Sequence, residues 1–135
     1  MKPIAQEDLF GCAVACVAFI IGTTYKKALK LFEHPEDRNL KGYYCRDIVK
    51  ALDRAGKKYS YAYLKKNKKQ VLKTPLYIVY LKKSKEYPSG HYLVRAKNRL
   101  WMNPWINFPK IRQAKSGFQT KLPGKPQWII YLQEE

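Results

Sequence analysis

At 135 residues and 15.9 kDa the chain has room for a single domain, 1–135, because domains commonly run to roughly 100–200 residues. Its 46% hydrophobic content, with 11 Tyr, 5 Phe and 3 Trp, supplies a core without disulfide staples and excludes disordered and fibrous classes. The net charge is +17, well beyond the roughly 2–8 that keeps a small domain soluble, so an acidic partner is expected.

The charge is uneven. Residues 1–53 carry 8 bases against 7 acids, whereas residues 54–133 carry 19 bases against Glu86 alone. One strongly basic face or rim follows from this, suited to an acidic peptide or to nucleic acid. Three cysteines, an odd number, fit a reducing compartment or one reactive thiol better than a disulfide framework, so a cytoplasmic location is expected. The longest apolar run, Leu9 to Gly22, has 14 residues, short of the roughly 20 of a membrane span. It lacks the basic flank of a secretory signal.

Cys12 to Ile21 contains no Gly, Pro or charge and reads as a buried helix stopped by Gly22. Thr23 or Thr24 caps a second helix expected to run to about Glu33, with Ala28, Leu29 and Phe32 on one face and Pro35 as its stop. Ile48, Val49, Leu52 and Ala55 recur at helical spacing in a third helix that ends at Gly56. From Lys58 the period becomes two. Tyr59, Tyr61 and Tyr63 mark one face of a half-buried strand, and Pro75 opens a β-branched strand. A turn at 83–90, a strand from His91, a turn at Asn98 and Arg99 and a strand through Asn103 make an antiparallel meander. A long connection rich in Pro and Gly precedes the last strand, from Gln127 to Leu132. Helices first and antiparallel strands afterwards give an α+β domain.

Cysteine chemistry needs a thiolate, and the start of an apolar helix lowers a thiol pKa through unpaired N–H groups and the positive dipole end. Cys12 has that place. His91, just past Gly90 at the head of a strand, is the candidate base; Asn103, one hairpin on, is the candidate to orient its imidazole. Gln6 can lend its amide to an oxyanion hole alongside the Cys12 N–H. Cys16 reads as packing, and Cys45 shares the helix-start argument with nothing gathered round it. Cys12, Cys16, Cys45 and His34 lack the paired spacing of a zinc site, so neither metal nor cofactor is expected. Lys65, Lys66, Lys68 and Lys69 read as a solvated loop, with phosphate binding as the alternative.

The segments QEDLFGCAVAC and GHYLVRAKNRLWMNPW resemble the cysteine peptidase domains of bacteriocin-exporting ABC transporters, bacterial papain-like enzymes that cut leader peptides after a double glycine. Order and spacing agree along most of the chain. The resemblance implies a helical lobe packed on a C-terminal antiparallel sheet, Cys12 as nucleophile with Gln6, His91 and Asn103 around it, and a stand-alone thiol hydrolase acting on a peptide or protein. Where the family usually has Asp before the nucleophile, Gly after it and Asp before the proline, this chain has Gly11, Ala13 and Asn103. Deamidation of glutamine on the same residues, a basic nucleic-acid-binding module and a non-catalytic peptide-binding module are the alternatives.

Overall fold

The computed structural model describes residues 1–64, 75–109 and 113–133. The helices come first, α1 (Cys12–Ile21), α2 (Tyr25–Leu29) and α3 (Cys45–Arg54), followed by strands β1 (Tyr59–Tyr63), β2 (Ile78–Leu81), β3 (His91–Arg95), β4 (Trp101–Asn103), β5 (Gly117–Gln119) and β6 (Pro126–Leu132). All strand pairs are antiparallel, in the order β1-β6-β2-β3-β4-β5. The chain is α+β, with a helical layer packed on one sheet. Strands β2 to β4 form the expected meander, but β6 returns to lie between β1 and β2, so the last strand closes the sheet's middle.

Helix α1 is apolar all round and accordingly buried from Ala13 to Ile20. Gly22, at φ 80°, ends it in the left-handed conformation and donates its N–H to the Ala18 carbonyl. Helix α2 is shorter than its sequence pattern suggests. After Leu29 the N–H groups of Leu31 and Phe32 donate to the carbonyls of Ala28 and Leu29, so the helix tightens into three-residue turns that bring Phe32 against Tyr43, with ring centroids 4.4 Å apart. The strand expected from Pro75 begins only at Ile78, because Leu76 adopts φ 65° and turns the chain into the sheet. β5 lies inside what reads as a long connection. Lys65, Lys66, Lys68 and Lys69 lie outside the described residues.

Strand alternation divides the core. Ile78, Tyr92, Val94, Met102 and Ile130 face the helices, and Val79, Leu81, Leu93, Trp101 and Ile129 form a second cluster on the far face. Among the described residues no helix is long and apolar enough to cross a membrane.

Candidate active site

Cys12 is the first residue of α1. Gly11 before it offers no side-chain cap, so no side chain occupies the N–H groups of the first turn. A Cβ at Gly11 would collide with the Tyr25 hydroxyl, which donates to Asp8 Oδ2 at 2.8 Å, while Arg38 Nε approaches the same oxygen at 3.3 Å. The glycine therefore admits the hydroxyl that holds the loop leading into α1.

The Cys12 thiol is half-buried, and the backbone N–H groups of Tyr92, Ala13 and Cys12 itself point at it. Burial nevertheless pushes its pKa up to about 11. The helix start was expected to lower it; the N–H groups do act in that direction, but loss of water around a sulfur anion is the larger effect. Cys12 and His91 line the same cleft of about 1070 Å³ without a direct hydrogen bond between them. The backbone N–H of Tyr92, the residue after His91, acts on the thiol in the direction of a lower pKa.

His91 opens β3 and Asn103 closes β4, with their side chains on the sheet face away from the helices. Continuing the Val94–Met102 register puts Asn103 diagonal to His91, and His91 Nε2 and Asn103 Oδ1 meet at 2.8 Å. The Trp105 N–H donates to the same Oδ1 at 2.9 Å, which fixes that atom as the oxygen. His91 must therefore carry its proton on Nε2, leaving Nδ1 as the free lone pair. Nδ1 bonds no described residue. Since Gln6 Oε1 is the one sealed, unpartnered side-chain polar atom among the described residues, Nδ1 opens to the cleft. Burial holds the imidazole neutral, its pKa pushed down to about 4 although the Asn103 bond acts the other way.

Gln6 is buried beside Cys12, and its amide Nε2 donates to the carbonyls of Asp8 at 3.0 Å and Leu9 at 3.1 Å. Its own N–H donates to the Pro104 carbonyl at 3.2 Å. The side-chain amide thus braces the loop before Cys12, and the backbone N–H ties that loop to the segment after Asn103. Cys16 is fully buried core. Cys45 is less isolated than its sequence surroundings suggest: it lines the cleft with its sulfur 3.9 Å from the Tyr92 hydroxyl, and burial pushes its pKa up to about 11. Among the described residues no three His, Cys, Asp or Glu side chains gather to hold a metal ion.

The structure superimposes on the crystal structure of the peptidase domain of Streptococcus ComA, a bi-functional ABC transporter of a quorum-sensing pathway, with TM-score 0.58 and 20% identity over 99% of this chain and 98% of that one. This chain has the papain-like peptidase-domain fold. No family model and no curated protein matches the sequence.

Sequence reasoning missed the cleft's floor in this papain-like fold. Tyr63 pairs with Trp128, Trp128 with Tyr80 and Tyr80 with Tyr92, an aromatic row crossing four strands on the helix-facing side, of which Trp128, Tyr80 and Tyr92 line the cleft with Cys12. Exposure falls along it, from 48% at Tyr63 to 5% at Tyr92. The alternation of Tyr59, Tyr61 and Tyr63 signalled one end of this row, but the pairing with β6 is invisible in sequence. A Cβ at Gly90 would collide with Tyr80, so the glycine lets that ring pack beneath the turn that delivers His91. Lys41, Arg46 and Lys83 line the cleft, and among the described residues no Asp or Glu does.

Proposed function

We propose that the chain is a cysteine peptidase-like hydrolase that cleaves a peptide bond through a Cys12 thioester. The observation carrying this reading is that Cys12, at the open start of α1, shares a cleft with an imidazole whose Nε2 proton is committed to Asn103 and whose Nδ1 is free. Both groups are neutral at rest. In the reaction the Cys12 proton passes to His91 Nδ1 as the sulfur attacks the scissile carbonyl carbon. The carbonyl oxygen becomes an oxyanion within reach of the uncapped first-turn N–H groups, with the Gln6 amide as a further donor once it leaves its carbonyl partners. Collapse breaks the C–N bond, and the His91 proton goes to the leaving amine. Water, deprotonated by the same Nδ1, then hydrolyses the thioester and restores the thiol. Asn103 orients the imidazole throughout without exchanging a proton.

The aromatic row and the three cationic side chains support a peptide substrate with apolar and acidic side chains. The test is incubation with a complex peptide mixture and identification of products by mass spectrometry. New peptide termini are expected, absent with Cys12→Ala and with His91→Ala. Conversion of glutamine to glutamate without new termini would assign the deamidase reaction to the same residues. Saturable peptide binding with no product, unchanged by Cys12→Ala, would overturn the hydrolase reading.

A further inference from the structure

Gln119 stands on the outermost strand, β5, where nothing in the sequence marks it. In the β4–β5 register Asn103 faces Gly117 and Trp101 faces Gln119. Gln119 reaches diagonally past Gly117, and its Oε1 accepts a hydrogen bond from Asn103 Nδ2 at 2.8 Å. The other end of the Gln119 amide donates from Nε2 to the Lys121 carbonyl at 2.7 Å. A carbonyl can only accept, so the Lys121 contact decides which end of Gln119 is nitrogen. The orientation agrees with the one the Trp105 N–H imposes on Asn103 Oδ1: Gln119 shows its oxygen to Asn103, Asn103 shows its nitrogen to Gln119 and its oxygen to His91, and His91 keeps its proton on Nε2.

We propose that Gln119 is a positioning residue that, together with the Trp105 N–H on Asn103 Oδ1, holds the direction of this hydrogen-bond chain and so the His91 tautomer with Nδ1 free for the Cys12 proton. The role in turnover rests on the hydrolase reading above; the tautomer does not. A carboxylate in place of Asn103 would need no such device to accept from His91, but it would set an acceptor oxygen against Gln119 Oε1. The amide at Asn103 and the amide at Gln119 therefore belong together.

The experiment reads the His91 ring nitrogens directly by nitrogen-15 NMR near neutral pH, where the buried ring is neutral. In the natural protein Nε2 is expected as the protonated nitrogen. Gln119→Met, which keeps length but removes the acceptor, should give a mixed or exchange-broadened pair of signals, and Gln119→Glu, which still accepts from Asn103, should restore the natural pattern. Peptide turnover should fall about fivefold in Gln119→Met, the worth of one ordinary hydrogen bond, with recovery in Gln119→Glu. If Gln119→Met does not fold, Asn103→Asp provides the other arm: the Gln119 amide should lose its Lys121 bond and turn its nitrogen inward, a change visible in the side-chain amide signals. Natural His91 signals in Gln119→Met, or an unturned Gln119 amide in Asn103→Asp, would overturn the proposal even if the protein hydrolyses peptides. A Gln119-dependent tautomer in a protein without turnover would instead overturn only the hydrolase reading.

Discussion

The rings of Tyr87 and His91 lie face to face, with centroids 4.3 Å apart and an interplanar angle of 0°. Tyr87 also meets Phe108, with ring centroids 4.8 Å apart, Phe108 meets Trp105 at 4.8 Å, and the Tyr87 hydroxyl lies 3.4 Å from Asn103 Nδ2. These rings wall off the bond between His91 and Asn103 from water. Because desolvation is what lowers the imidazole pKa, removing the wall should raise it. Tyr87→Ala is expected to move the His91 pKa from about 4 back toward its ordinary value and to cost roughly 3 kcal/mol of stability. Tyr87→Phe keeps the stacked ring and should keep the low pKa. Titration of the His91 ring signals checks both, and an unmoved pKa in Tyr87→Ala would mean that the sheet alone dries the imidazole.

Burial of a neutral His91 also links folding to pH. Its pKa is about 4 when folded, against an ordinary 6.5, so below pH 6.5 the unfolded chain takes up the proton and the folded chain does not. The stabilising effect of a neutral ring is complete above pH 6.5 and is lost progressively as pH falls toward 4, by roughly 3 kcal/mol in all. His91→Gln should lack this part of the acid limb. Denaturant unfolding from pH 7 to 4 for both proteins, compared as a difference, measures it. Parallel profiles would show that the ring is more hydrated than its burial implies.

The raised Cys12 pKa sets the expected thiol reactivity. At neutral pH a thiol of pKa about 11 should alkylate roughly twentyfold more slowly than an unperturbed cysteine, since the smaller thiolate fraction is only partly offset by greater nucleophilicity. Cys12 should still label first, because Cys45 is more buried and Cys16 is sealed. Its rate should climb steadily with pH through 9 and 10, without the acid-side plateau of a preformed thiolate–imidazolium pair. Iodoacetamide labelling followed by peptide mapping tests the order and the slope. A plateau near pH 5 would show that the pair is ionised at rest.

The helix limits of α1 and α3 and the places of Cys12, His91 and Asn103 were legible because each depends on local pattern: an uninterrupted apolar run, apolar residues at helical spacing before Gly56, and a Gly followed by His at a strand start. What stayed hidden depends on pairing across the sheet. The position of β6 between β1 and β2 is set by which aromatic and β-branched faces match, and no neighbouring residue records it. Gln119 meets Asn103 only because β5 pairs with β4, a pairing no neighbouring residue records. The direction of the Cys12 pKa shift was misread for a related reason, since helix-start N–H groups can be read from sequence but the dryness of the surrounding cleft cannot.

The excess positive charge bears on which partner the protein meets. Nucleic acid and an acidic peptide would be drawn by the same positive field, but they differ in how salt weakens them. A protein that neutralises about 6–10 phosphates loses roughly three to five decades of affinity between 50 and 200 mM salt. In the cleft, Lys41, Arg46 and Lys83 are the cations among the described lining residues, set around an aromatic floor. Exposed ion pairs of this kind contribute only about 0–1 kcal/mol each, so an acidic peptide held chiefly by its apolar side chains should lose roughly a decade or less over the same range. Arg46→Ala and Lys83→Ala should each weaken acidic peptides by a fewfold at low salt and leave uncharged analogues unaffected. Trp128→Ala should weaken both, because it interrupts the row that the apolar side chains would cover. Fluorescence titrations with acidic and neutral peptides and with mixed-sequence RNA and DNA, each at several salt concentrations, separate these outcomes. Tight nucleic-acid binding with a steep salt slope, insensitive to Trp128→Ala and Cys12→Ala, would place the basic surface in a function separate from the cleft.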